Sequence, residues 1–170
     1  MLINDSRELF DSQNRVTLSN TPIIVTDCLK TPENIGHLIR LAGNIGITKI
    51  ISIEEIQLKD NKIKKTACMA WDYVELIHAT FDNFHQFIPE DYQWVALETS
   101  PQSQSIYNTS LPAKMAVFLG NEIRGIQPEI LSQCPTHIHI PMTGEATSMN
   151  VSHAGSVCLF EWLRQQISGQ

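Results

Sequence analysis

The sequence predicts an α/β domain with a mostly parallel sheet flanked by helices, and three observations carry that reading. Short apolar runs typical of buried parallel strands stand at residues 76–79, 94–97 and 115–119, and further strand signals at 22–28, 49–53 and 137–140. Stretches of helical period alternate with them, which is the pattern of a parallel sheet crossed by helices. The chain's Gly, Asn, Glu and Ser residues also concentrate just after strands, at 120–125 and 141–152, where such sheets place their ligand sites.

Residues 1–21 are polar and of mixed charge, with a short helical pattern at 6–12, and read as an N-terminal arm before a domain spanning 22–170. After the first strand, Thr31-Pro32-Glu33 offers a capping residue, a proline suited to a first turn and an acid suited to the positive end of a helix. Ile35, Leu38, Ile39, Ala42 and Ile45 then form one apolar helical face, which puts Gly36 and Arg40 together on another side. Gly46 closes that helix, and the second strand follows. Residues 54–75 show no clear period beyond a surface helical turn at 59–65. A helix is expected near 83–87, a short one at 128–133, and a closing one at about 150–166 with Val151, Ala154, Gly155, Cys158 and Trp162 as its apolar stripe.

A chain of 170 residues, 42% hydrophobic, can bury one good core, so one domain is expected. The net charge of -6 means that an anionic partner has to be met by a local basic patch. Cys28, Cys68, Cys134 and Cys158 lack the paired short spacing of zinc sites, so a reduced, metal-free, cytoplasmic protein is expected. No basic segment precedes an apolar one at the N-terminus, and no run approaches the roughly 20 apolar residues of a membrane span. Neither export nor membrane insertion is expected.

Three strand-end loops, at 98–101, 120–122 and 141–148, are expected to share one pocket. Asn34 suits a helix cap, while Ser148 and Asn150 suit both caps of the last helix and ligand contacts. Glu122, set between Gly120 and Gly125, is either a turn acid or an orienting group, and His37, His139 and His153 read as structural. The loop at 28–36 lacks the Gly-x-Gly-x-x-Gly that a dinucleotide pyrophosphate needs, which disfavours an oxidoreductase-type domain.

Three motifs in order, Asn34-Ile-Gly-His-Leu-Ile-Arg40, Gly120-Asn-Glu-Ile-Arg-Gly125 and Ile140-Pro-Met-Thr-Gly-Glu-Ala-Thr-Ser-Met-Asn-Val-Ser-His-Ala154, carry a resemblance. Over residues 22–167 the chain resembles the SpoU (TrmH-like) branch of the SPOUT RNA 2'-O-ribose methyltransferases. The resemblance implies a Rossmann-like fold with a C-terminal trefoil knot, S-adenosylmethionine as methyl donor, a ribose 2'-hydroxyl of tRNA or rRNA as acceptor, a homodimer and no metal. It implies Arg40, Asn34, Glu122, Ser148 and Asn150 as catalytic residues. Main-chain contacts to the cofactor are implied at Leu97, Gly120, Ile140, Ser148 and Met149.

Arg40 lies off the apolar face of its helix, where a planar guanidinium suits a phosphate beside the target ribose. The resemblance adds a second role for it, as the base that takes the hydroxyl proton. RNA phosphates are expected to meet Arg40, Arg124, Lys30 and the lysines of 59–65. The branch that modifies the tRNA wobble ribose usually has proline where Asn121 stands, which leaves the RNA open. The alternative reading is a catalytically silent knotted dimer that binds RNA or a protein.

Overall fold

A computed structural model of the chain describes residues 16, 18–56 and 58–168; most of the arm expected at 1–21, including its helical pattern at 6–12, lies outside the described residues. The strands are β1 (Ile23–Asp27), β2 (Lys49–Ile53), β3 (Glu75–Ala79), β4 (Gln93–Leu97), β5 (Gln104–Ser105), β6 (Met115–Leu119) and β7 (Thr136–His139). They form one seven-stranded sheet in the order β3-β2-β1-β6-β4-β7-β5, with parallel pairing throughout. The helices are α1 (Pro32–Ile45), α2 (Asp60–Ala67), α3 (Pro128–Leu131) and α4 (Val151–Ser168), with 3-10 turns at Cys68–Asp72, Phe84–Phe87 and Ile106–Asn108.

The mostly parallel sheet flanked by helices is what the alternating pattern predicts. β1 and β6 are buried at every position because both their faces are covered. On one face Ile24, Ile50, Val95, Val117 and Ile138 pack with Leu38 and Ile39 of α1 and Trp162 of α4. On the other, Val25, Ile51, Ala96 and Phe118 pack with Phe84, Ile126 and Ile130.

The structure corrects several local readings. Residues 83–87 form a 3-10 turn, not an α-helix, and β5 is too short and polar to be seen as a strand in the sequence. The aperiodic 54–75 stretch resolves into α2 and the turn Cys68–Asp72. Thr31 stands at the N-cap of α1 but makes no side-chain capping bond. Gly36 is buried rather than turned to a free side: a Cβ there would lie 2.5 Å from Thr66 Cβ and 2.8 Å from the Ile63 carbonyl oxygen, so glycine lets α1 and α2 touch.

Candidate active site

The register aligns Leu97 of β4 with Leu119 of β6 and with Ile138 of β7, so the loops leaving these three strands rise side by side. Between them lies a cleft of about 510 Å³, within the size range of small-molecule sites. The five residues expected to contact the cofactor, Leu97, Gly120, Ile140, Ser148 and Met149, all line it, as do Glu122 and Asn150. Among its lining residues are Glu98 and Glu122 but no Lys or Arg. This wall favours a cationic ligand group and opposes a pyrophosphate.

The loop after β6 is held rigidly. Asn121 and Gly125 exchange backbone hydrogen bonds, Asn121 N–H to the Gly125 oxygen at 2.9 Å and Gly125 N–H to the Asn121 oxygen at 3.0 Å. The buried Asn121 side chain donates to the Cys28 carbonyl and accepts from the N–H groups of Ile123 and Arg124 at 3.0 and 3.2 Å. Gly125 has φ +71, and a Cβ there would meet Glu98 Oε2 at 2.4 Å. Glu98, in the loop expected at the pocket but given no role there, accepts from Ile126 N–H at 3.0 Å and ties this loop to the end of β4.

Glu122 reaches away from that loop to the start of α1. Its Oε2 accepts from Lys30 N–H at 3.1 Å, and its Oε1 accepts from Thr31 N–H at 3.2 Å and from Asn34 Nδ2 at 2.9 Å. Asn34 is therefore no cap: it sits inside α1, 5% exposed, and its Oδ1 accepts from Asn150 Nδ2 at 3.0 Å. Asn150 Oδ1 in turn accepts from the Ser152 and His153 N–H groups at 2.9 and 3.4 Å and so caps α4. An acceptor-only carboxylate at one end and helix N–H donors at the other fix the direction of both amides. Burial alone would raise the Glu122 carboxyl, but the Lys30, Glu122 and Thr31 amides and the Asn34 side chain outweigh it and hold the group below its ordinary 4.5.

The expected site residues thus fall into two groups. Asn34, Glu122 and Asn150 are joined, and Ser148 stands in the same cleft wall. Arg40 is exposed and absent from the cleft lining, roughly 9 Å along α1 and about 120° around it from Asn34. Arg124 donates to Glu55 Oε1 at 3.2 Å on the surface. His139, read as structural, also lines the cleft: Ser103 Oγ donates to the Ser100 oxygen at 2.7 Å, so it accepts from His139 Nδ1 at 2.9 Å and leaves Nε2 without the proton in the neutral ring.

A parallel α/β sheet with a strand-end cleft, acidic on its wall and joined to the start of the first helix, defines a small-molecule-binding α/β domain of the kind methyltransferases use. The chain belongs to the SpoU rRNA Methylase family, which matches residues 21–160. It is 30% identical over 159 residues to the 23S rRNA (guanosine-2'-O-)-methyltransferase RlmB of Salmonella typhi, an alignment covering 92% of this chain and 65% of that protein. It is 32% identical to the corresponding protein of Pasteurella multocida, covering 88% of this chain and 62% of that one. The chain therefore spans slightly less than two thirds of these relatives' length.

Among solved structures, one giving structural insights into the 2-OH methylation of C/U34 on tRNA superposes with a TM-score of 0.76 at 25% identity, covering 89% of this chain and 99% of that one. The SpoU methyltransferase AviRb from Streptomyces viridochromogenes, in complex with the cofactor AdoMet, shares the fold with a TM-score of 0.78 at 20% identity, covering 92% of this chain and 61% of that one.

Proposed function

We propose that the chain is an S-adenosylmethionine-dependent methyltransferase acting on a ribose 2'-hydroxyl of rRNA or tRNA. The observation that carries the reading is the cleft at the ends of β4, β6 and β7, with acids but no Lys or Arg on its wall, and with residues of the second and third motifs lining it. Its volume and lining fit the cofactor: apolar Leu97, Leu119, Ile140 and Val151 suit the adenosine, and Glu98 and Glu122 suit positive charge. When bound, S-adenosylmethionine supplies an electrophilic methyl on a positively charged sulfur.

The chain's own residues do the rest. Gly120 lets the two ends of the loop after β6 lie against each other beside the cleft, since a Cβ there would lie 2.4 Å from the Gly125 carbonyl carbon. Glu122, Asn34 and Asn150 lock the loop after β6, the start of α1 and the start of α4 into one frame, which aligns whatever lies between them. Arg40 binds the phosphate beside the target ribose and stabilises the developing alkoxide.

Because Arg40 lies off the cleft of its own chain, the reading includes a homodimer in which one copy's Arg40 faces the other's cleft. Phe160 and Ile167 of α4, 51% and 42% exposed, offer an apolar surface for such a pairing. The knotted return implied by the resemblance belongs to the same reading, with residues 140–150 leading from β7 to α4, which docks on α1. Titration calorimetry with S-adenosylmethionine tests it. Micromolar binding is expected, and well-folded protein that binds none would leave the silent RNA- or protein-binding dimer as the better reading.

A further inference from the structure

The segment from α2 through the 3-10 turn at Cys68–Asp72 runs against the charge of the chain. From Asp60 to Tyr73 the segment holds Lys62, Lys64 and Lys65 against Asp60 and Asp72, for a local balance of 3 - 2 = +1 in a protein of net charge -6. The three lysines are exposed, while Ile63 and Ala67 anchor the helix in the core. Lys64 is not loose: its Nζ stands 4.8 Å from the centroid of the Trp71 ring, which packs against the core. Met69 in this turn and Tyr73 just after it are 72% and 70% exposed.

Arg40 joins this surface. Gly36, Arg40 and Gly43 lie within about 60° of one another around α1. Cβ atoms on the two glycines would meet Thr66 at 2.5 Å and Ala70 at 3.0 Å, so this side of α1 faces the segment. Arg40, one turn from each, therefore emerges at the seam between α1 and the Cys68–Asp72 turn.

We propose that this segment is an RNA subsite continuous with Arg40: Tyr73 stacks on an unpaired base, and Lys62, Lys64 and Lys65 hold the flanking phosphates. It rests on the proposed function and deepens it by assigning the strand that approaches the target ribose. Single-stranded RNA fits this chemistry because splayed bases stack on aromatic rings while basic side chains track the backbone. The cofactor cleft, without Lys or Arg, cannot supply those phosphate contacts itself. The three exposed lysines favour a polyanion over an apolar protein partner.

The test is fluorescence anisotropy with a labelled single-stranded RNA of about a dozen nucleotides and with bulk tRNA, with S-adenosylmethionine calorimetry on the same samples. Tyr73→Ala should weaken RNA binding by about tenfold, in line with the loss of one stacked base, and Tyr73→Phe should restore it. Replacing Lys62, Lys64 and Lys65 with Gln should lower the slope of log K against log salt by about 2. Cofactor affinity should not change in any of these variants. RNA affinity unchanged in both Tyr73→Ala and the triple variant would overturn the subsite, and so would a loss that appears only together with a change in oligomeric state, which would mark a protein contact. Wild-type protein that binds neither RNA nor S-adenosylmethionine would instead remove the proposed function itself.

Discussion

Asn34→Asp tests the frame around the cleft with an almost isosteric change. The new Oδ1 would still accept from Asn150, but the other oxygen would replace the amide 2.9 Å from Glu122 Oε1. One hydrogen bond to a charged acceptor is lost, about 1.5–3 kcal/mol in a protected site. Two carboxylates with charges about 4 Å apart add repulsion of about 4 kcal/mol at an effective dielectric of 20 and about 1 in water. Glu122 is exposed, so the lower end applies to both terms, and a total of about 2.5 kcal/mol is expected at pH 7.5.

The pair relieves this strain by sharing a proton, which raises its apparent pKa in the folded state above the unfolded value. Such a group makes the folded state bind more protons, so the variant should regain stability as pH falls from 7.5 to 5, by about 2 kcal/mol if the shift is about two units. Wild type has the opposite sign: the depressed Glu122 contributes above its ordinary 4.5 and loses that contribution only as pH falls below it. Chemical denaturation of both proteins at pH 7.5 and 5.0 measures the gap. A gap that is absent, or that stays constant with pH, would refute the Asn34 to Glu122 contact as the frame's joint.

Three further changes probe other parts of the account. Asn121→Pro removes the N–H bond to Gly125 and three side-chain bonds in a buried site, so thermal or denaturant unfolding should show a loss of about 3–4 kcal/mol. Gly36→Ala forces α1 from α2 at Thr66 and the Ile63 carbonyl, and should cost about 2–3 kcal/mol despite alanine's better helix propensity, again by denaturation. Gly120→Ala drives a methyl into the Gly125 backbone, and calorimetry should show S-adenosylmethionine affinity down by at least about tenfold in folded protein.

The sheet was legible because the central strands β1, β2 and β6, buried on both faces, leave near-continuous apolar runs, while the partly buried β3, β4 and β7 still carry short apolar or alternating stretches. β5 escaped because two polar residues at an edge carry no such signal. In the site, the loops after β4, β6 and β7 announced themselves by composition, and their meeting followed from the rule for parallel sheets. The Glu122 to Asn34 to Asn150 chain could not be read, because its members lie 88 and 116 residues apart and each looks locally like a turn or cap residue. Glu98 stood in a loop expected at the pocket but was given no role, and His139 was read as structural, because the neighbours each meets in the cleft come from other loops. Helical spacing grouped Gly36 with Arg40 correctly but left open that α2 covers that side of the helix.

Nucleoside mass spectrometry of rRNA and tRNA, incubated with the protein and methyl-labelled S-adenosylmethionine, tests the central claim most directly. The account predicts a labelled 2'-O-methyl nucleoside with wild type. With Arg40→Ala the label should fall by at least about a hundredfold, while folding stability stays within about 0.5 kcal/mol and cofactor affinity is unchanged. Labelled product formed equally by Arg40→Ala, or no ribose methylation of either RNA by protein that binds the cofactor, would contradict it.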